Sequence, residues 1–255
     1  MPKTIGCILA RQEDCLSSTS HLFPRIARSL AGRPLIEWVV RRTSESQHLA
    51  EVVVVVPDSH CEEAVHAHIP ASAKLLVSSQ ADEAKQLLDA AEATQANAVV
   101  HVQNSSPLLD PALLDRLVLA GRNDANKTAC ISFTSRQAGS QLHAKLGLVA
   151  EWYQTAALRR AAKAKSPSAG LLDFFLQNAD EYALRFLTLP AELDRNDFRL
   201  AVRAPEDWHH AEEIVEALGD DGLDWQRIAS LLDSQPVMLQ RMAQLNLEFD
   251  RRMMR

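Results

Sequence analysis

The sequence of 255 residues has few cysteines, few aromatic residues and no long apolar run, and these shortages exclude several classes of protein. Its four cysteines show no CxxC spacing, and Cys7 and Cys130 lie in apolar runs typical of reduced core residues. No apolar run approaches the roughly 18 residues of a membrane span. The apolar run near the N-terminus is better explained by a buried strand than by a signal peptide. We therefore expect a cytoplasmic protein without a membrane partner.

The charge balance and the absence of familiar catalytic motifs narrow the function further. A net charge of −6 argues against a general nucleic-acid-binding surface, although a local basic pocket is compatible with it. Hydrophobic residues make up 47% and charged residues 24%, which is typical of a soluble globular protein. The sequence has no G-x-S-x-G, H-E-x-x-H or P-loop pattern.

Apolar runs alternate with helical patterns along most of the chain. β-Branched runs such as Glu51–Val56 are typical of central strands covered on both faces, and Asp82–Thr94 and Pro111–Gly121 have helical spacing. Strands are predicted at 5–10, 51–56, 74–78, 98–102, 128–134, 144–153, 183–189 and 199–202. This alternation predicts a mostly parallel sheet with helices on both faces, which binds its ligand at the carboxyl ends of the strands.

The stretch Thr4–Arg42 reads as a buried strand, a long polar loop and a helix that begins near Pro34. Its loop contains four arginines, at positions 11, 25, 28 and 33. Arginine side chains and the N–H groups at a helix start bind phosphate well, so one interpretation is a phosphate site. The other interpretation is a first β-α unit with a solvated basic loop, which spacing alone favours because such units are common.

Several motifs of the sequence resemble those of the sugar nucleotidyltransferases, in particular the cytidylyltransferases and the spore-coat polysaccharide biosynthesis protein F group. The resemblance rests on Ala10-Arg11, on Leu30-Ala31-Gly32-Arg33-Pro34-Leu35, on Val99–Pro111 and on Leu200–Asp207. It implies a three-layer α/β/α, Rossmann-like fold of the GT-A nucleotide-diphospho-sugar transferase type over residues 1–218. Residues 219–255 are predicted to form a helical C-terminal extension.

The same resemblance implies a function and a set of site residues. The implied reaction is transfer of a nucleotidyl group from CTP to a sugar, with release of pyrophosphate, in CMP-sugar or surface-polysaccharide biosynthesis. Arg11, Arg25 and Glu151 are the implied catalytic residues. The implied nucleotide-binding residues are Leu9, Ala10, Arg11, Arg25, Ser79, Gln103, Ser105 and Arg203.

The chain departs from the family pattern where a metal ion is expected. The three expected acids are replaced by Ser105, Val149 and Arg203, which argues against a Mg²⁺ site built from two carboxylates. Glu151 is the best remaining metal-ligand candidate, and Asp173 and Asp207 are the other acids available. An arginine at position 203 is also able to hold a phosphate directly.

Two hypotheses therefore remain open. The first is a cytidylyltransferase of weakened activity that takes a carboxylate from an unexpected position. The second is a non-catalytic relative that binds a nucleotide, or a partner, through its C-terminal helices. In the second of these helices, Met238, Met242, Leu245 and Leu247 lie near one face, which is typical of packing on the chain's own domain or of a homodimer contact.

Overall fold

The structure is a computed structural model that describes residues 2–15, 25–124, 127–135, 145–164 and 170–253. The strands of its central sheet are β1 (Thr4–Leu9), β4 (Val52–Val56), β5 (Lys74–Val77), β6 (Ala98–Val102), β7 (Cys130–Thr134), β8 (Glu151–Gln154) and β9 (Leu184–Thr188). Two further short strands, β2 (Ser29–Leu30) and β3 (Arg33–Pro34), pair with each other. The order in the large sheet is β5-β4-β1-β6-β8-β7-β9.

Helices follow most of these strands, as the alternating sequence pattern predicts. The described α-helices are α1 (Gln12–Cys15), α2 (Leu35–Ser44), α3 (Ser59–His66), α4 (Glu83–Thr94), α5 (Pro111–Asn123), α6 (Thr155–Ala161), α7 (Leu171–Gln177), α8 (Pro205–Leu218), α9 (Trp225–Asp233) and α10 (Pro236–Met253). Among the described residues, no helix combines the length and the apolar character needed to cross a bilayer.

The sheet is mostly parallel. Strand β1 pairs in parallel with β4 on one side and with β6 on the other, so that Cys7 lies opposite both Val53 and His101. Strand β8 is antiparallel to both of its neighbours, β6 and β7. The predicted α/β fold with a mostly parallel sheet and C-terminal helices is confirmed.

Both faces of the sheet are covered by apolar side chains. In β4, Val53 and Val55 face the core formed with α4, α6 and α7, whereas Val54 and Val56 face the larger core formed with α2, α3 and α5. A strand that is buried on both faces needs apolar residues at every position, which explains its unbroken valine run.

The Leu30–Leu35 motif forms a tight turn that leads into a helix. Ala31 and Gly32 both have positive φ values, 45° and 82°, between the paired strands β2 and β3. Two central residues with positive φ are typical of a type I′ turn, which the motif's glycine favours. The turn brings Pro34 to the position just before α2, which confirms the predicted helix start.

Two predicted strands differ from the structure. Residues 199–202 form no strand, because Leu200 N and Ala201 N donate to Lys145 O and Val202 N donates to Ser105 O at 2.7 Å. This segment therefore bonds to backbone outside the strands instead of joining the sheet. The strand predicted at 144–153 begins only at Glu151, and residue 144 lies outside the described residues.

The C-terminal helices pack on the larger core. Ile228 and Leu232 in α9, and Met238 and Met242 in α10, are buried in the same apolar cluster as β4 and α2. Leu247 is 58% exposed on α10. The predicted boundary at residue 218 and the homodimer remain predictions, and the contacts favour packing within the chain.

Candidate active site

A polar network joins the carboxyl ends of β1 and β6. The buried carboxylate of Asp14 accepts hydrogen bonds from Nε of Arg25 at 2.8 Å and from Nδ2 of Asn104 at 2.6 Å. Asn104 Nδ2 also donates to Leu9 O at 2.9 Å, and its Oδ1 accepts from Nη2 of Arg25 at 2.9 Å. Arg25 is thereby fixed over the end of β1, with one carboxylate to balance its charge.

Arg203 adds a second guanidinium to this edge. Its Nη2 donates to Oε1 of Gln103, and Arg25 Nη1 donates to the carbonyl of the preceding Val202 at 3.3 Å. Loss of surrounding water, together with the positive charges of Arg25 and Arg11, lowers the pKa of Arg203 to about 10. Neighbouring like charges of this kind favour the binding of an anion between them.

The four arginines of the opening stretch divide into two pairs. Arg11 has a largely exposed side chain beside Glu13, and it lies close enough to Arg203 to lower that residue's pKa. Arg28 instead stacks on Trp208 with its Cζ 4.4 Å from the ring centroid, and Arg33 stacks in the same way at 4.9 Å on another tryptophan, Trp38. Arg28 and Arg33 thus pack against tryptophans, whereas Arg11 and Arg25 belong to the candidate site.

The positions where the family pattern places acids do not form a two-carboxylate metal site. Ser105 and Val149 are buried, and Arg203 contributes a positive charge. Asp207 lies near Arg203, but its carboxylate accepts from both Nε and Nη2 of Arg199 at 2.7 and 3.0 Å and from the N–H groups that precede α8. The residues at this edge therefore do not fit a Mg²⁺ ion held by two carboxylates.

Glu151 lies in a different cluster, on the face of the sheet covered by α4, α6 and α7. His101 in β6 pairs with Glu151 in β8, and Nδ1 of His101 lies 3.1 Å from Oε1 of Glu83 and 3.5 Å from Oε2 of Glu151. Burial lowers the pKa of His101, but the two carboxylates outweigh it and raise that pKa to about 10. Asp173 is close to this cluster, since burial and the charges of Glu151 and Glu83 raise its pKa. Within the described residues, Glu83, His101 and Glu151 form the group whose ligand atoms lie close enough together to hold a metal ion.

The remaining predicted residues lie at the same edge as the arginines. Leu9 and Ala10 are buried where β1 ends, and Ala10 N donates to Val55 O at 2.9 Å. Ser79 is exposed in the loop after β5. Gln103 follows β6 and binds Arg203. Their nucleotide-binding roles, and the catalytic role of Glu151, remain predictions.

Sequence reasoning missed four residues that the structure makes central. Asp14 and Asn104 organise Arg25, and Glu83 and His101 surround Glu151. The signal for Asn104 and Asp14 was their place just after two predicted strands that meet at one edge. No local pattern connects Glu83 with His101, because an intervening helix separates them in the sequence.

The mostly parallel sheet and its covering helices define an α/β protein with arginines at the carboxyl ends of β1 and β6. The Cytidylyltransferase family model matches residues 26–185, and this protein belongs to that family. A 3-deoxy-manno-octulosonate cytidylyltransferase of Geobacter metallireducens is 27% identical over 100 residues, which are 39% of this chain and 39% of that relative. The chain thus aligns with about two fifths of the length of the curated relatives that it matches.

Solved structures show the same fold over most of the chain. A cytidylyltransferase of Leptospira borgpetersenii is 18% identical, with a TM-score of 0.77 over 94% of this chain and 98% of that one. CMP:2-keto-3-deoxy-manno-octonic acid synthetase, solved in complex with CTP, is 18% identical with a TM-score of 0.61 over 84% and 99% of the two chains. At these identities the likeness establishes the fold alone.

Proposed function

We propose that this protein binds CTP at the arginine-lined edge and transfers its cytidylyl group slowly to an acidic sugar of the 3-deoxy-manno-octulosonate class. In this reaction a sugar hydroxyl oxygen attacks the α-phosphorus of CTP and loses its proton. The bond from that phosphorus to the bridging oxygen breaks, and pyrophosphate leaves. Family membership and the names of the matched relatives support the base and the sugar class. The product would be a CMP-sugar for surface-polysaccharide assembly.

One observation carries the proposal: three arginines, at positions 11, 25 and 203, converge at the carboxyl ends of β1 and β6. The charges of the first two lower the pKa of Arg203, and Asp14 pairs with Arg25. A triphosphate placed here would meet more positive than negative charge without any bound cation. Guanidinium groups hold phosphate oxygens through paired N–H donors, so they suit this role.

The replacement of the family's acids argues for slow chemistry. In nucleotidyl transfer, charge develops on the phosphates, and a metal ion or preorganised donors stabilise it. Ser105 and Val149 offer no carboxylate for such an ion, and Arg203 occupies the third position. Without a metal ion, the developing charge would be stabilised by the arginines alone, so we expect slow turnover.

The test is calorimetric titration of CTP in the presence of EDTA and again in the presence of Mg²⁺. We expect binding in EDTA, and we expect Arg203→Ala to weaken it at least tenfold while Arg203→Lys loses less. The control is Arg41→Gln, which removes an exposed arginine that pairs with Glu37 on α2. Binding that requires Mg²⁺, or equal affinity in Arg203→Ala and the parent protein, would overturn the arginine-held site.

A non-catalytic nucleotide-binding protein is the second candidate, because the family's acid positions carry serine, valine and arginine. Pyrophosphate release with CTP and 3-deoxy-manno-octulosonate separates the two candidates. Turnover that Arg25→Ala abolishes supports the transferase. CTP binding without any pyrophosphate release supports the second candidate.

A further inference from the structure

The mostly buried cluster of Glu83, His101 and Glu151 is built differently from an ordinary group of surface acids. Its members come from three separate elements, the first turn of α4 and the facing positions of β6 and β8. His101 and Glu151 are 8% and 5% exposed, whereas the side chain of Glu83 is 22% exposed and opens the cluster to solvent. Burying two carboxylates is costly unless positive charge or hydrogen bonds compensate for it.

The spacing of the ligand atoms of the three residues is close to that expected around one metal ion. One ligand atom from each residue lies within 4.8 Å of the other two, and Nδ1 of His101 is 3.1 and 3.5 Å from the nearest carboxylate oxygens. Ligands about 2.1 Å from a shared ion would lie about 3.0 Å apart in octahedral and about 3.4 Å apart in tetrahedral coordination. The two spacings from Nδ1 of His101, 3.1 and 3.5 Å, are close to these values.

Two further observations point to a ligand. Nδ1 of His101 is buried and makes no hydrogen bond with the described residues, despite its two carboxylate neighbours. Oε2 of Glu151 accepts a hydrogen bond from the hydroxyl of the buried Tyr153 at 2.6 Å. A second partner of this kind orients a carboxylate ligand and is common around protein metal sites.

We propose that Glu83, His101 and Glu151 bind one divalent transition-metal ion, separately from the nucleotide's phosphates. An imidazole nitrogen with two carboxylate oxygens suits manganese, iron or zinc better than magnesium, which prefers oxygen ligands alone. The ion would connect the start of α4 to the centre of the sheet. It would thereby fix the loop before α4, which carries Ser79, without taking part in the reaction.

The test is equilibrium dialysis of the full chain against Mn²⁺ after treatment with a chelator, with the bound metal counted by elemental analysis. Mn²⁺ is the probe because it binds isolated surface imidazoles weakly, and this chain has exposed histidines. We expect one Mn²⁺ per chain and at least a tenfold loss of affinity in Glu83→Gln. The control is Glu92→Gln, on the same helix, which removes an exposed carboxylate paired with Arg159.

Glu83→Gln is the decisive variant because Glu83 is partly exposed, so its substitution should leave the core intact. Glu151→Gln is a second variant, and circular dichroism checks that it folds. Absence of stoichiometric binding would show that the cluster holds no ion, and it would overturn the proposal. Binding that both glutamine variants retain would place the ion elsewhere and would also overturn it. Neither result would bear on CTP binding, which the arginine variants test independently.

Discussion

The carboxylate of Asp14 holds the guanidinium of Arg25 through an Nε–Oδ1 hydrogen bond of 2.8 Å, and the same carboxylate accepts the amide of Asn104 at 2.6 Å. Asp14 is 4% exposed, and the Arg25 side chain is 30% exposed. Asp14 therefore gives the candidate site its shape, since it sets the direction of the arginine expected to meet the phosphates. Its own charge also subtracts from the positive potential there.

The substitution Asp14→Asn should show how much this mostly buried charge pair contributes to stability. We expect Asp14→Asn to lower the free energy of unfolding by about 1–3 kcal/mol, because a mostly buried charge pair loses one member. Glu13→Gln is the matched control, since its exposed carboxylate lies 3.8 Å from Arg11, and we expect a change below about 0.5 kcal/mol. Urea denaturation measures both, and equal effects would contradict the structural role of Asp14.

The pair of Arg199 and Asp207 allows a second comparison of a buried with an exposed carboxylate. Asp207 accepts two hydrogen bonds from the Arg199 guanidinium and two from backbone N–H groups ahead of α8. We expect Asp207→Ala to cost about 3–5 kcal/mol, because it leaves a buried guanidinium unpaired. In the preceding residue, Glu206→Gln should cost less than about 1 kcal/mol, since its pair with Arg241 is about half exposed. Denaturant midpoints in the reverse order would refute this assignment.

The turn between β2 and β3 should show its backbone strain in two opposite substitutions. Gly32→Ala is expected to destabilise the protein by about 1 kcal/mol, because the φ of 82° strains any residue with a Cβ atom. No heavy atom lies within 4 Å of the new methyl group, so the effect comes from the backbone and not from a clash. Ala31→Gly relieves a positive φ of 45° and is expected to be neutral or slightly stabilising. Thermal unfolding distinguishes the two, and a stabilising Gly32→Ala would contradict the type I′ turn.

The parts of the molecule that follow from local pattern were predictable, and the parts made by long-range contact were not. Unbroken apolar runs such as Val52–Val56 and their alternation with helices indicated the parallel sheet, because two-sided burial dictates that composition. The antiparallel direction of β8 and the non-strand conformation of residues 199–202 depend on hydrogen bonds to distant backbone, which no local pattern reveals. Arg11 and Arg28 look equivalent in sequence, but Trp208 stacks on the second of them.

His210 should make stability depend on pH below neutrality. Burial lowers its pKa from the ordinary value of 6.5, and its Nδ1 has no hydrogen-bond partner among the described residues. Because the unfolded chain takes up the proton more readily, the stability contributed by neutral His210 is fully present above pH 6.5 and decreases as the pH falls towards the lowered folded pKa. His210→Gln should flatten the free energy of unfolding between pH 7.5 and about 5.

The neighbouring histidine is the control for that experiment. His209 is 74% exposed on the same helix, so His209→Gln should leave the pH dependence as it is in the parent protein. A His210→Gln variant with the parent slope would show that His210 does not set the pH dependence of stability.

Restoring the family's acids at the candidate active site tests whether Arg203 takes the place of a metal ion in binding the phosphates of CTP. In the double variant Ser105→Asp, Arg203→Asp, two carboxylates replace a neutral side chain and a cation at the end of β6. Carboxylates in these positions would bind Mg²⁺ and repel a bare triphosphate, so CTP binding should change from metal-independent to Mg²⁺-dependent. Arg203→Ala is the control, because it removes the cation without supplying a ligand and should lose affinity in both conditions. Calorimetry in EDTA and in Mg²⁺ measures the change. If the double variant still bound CTP equally well in EDTA, Arg203 would not be the group that holds the phosphates.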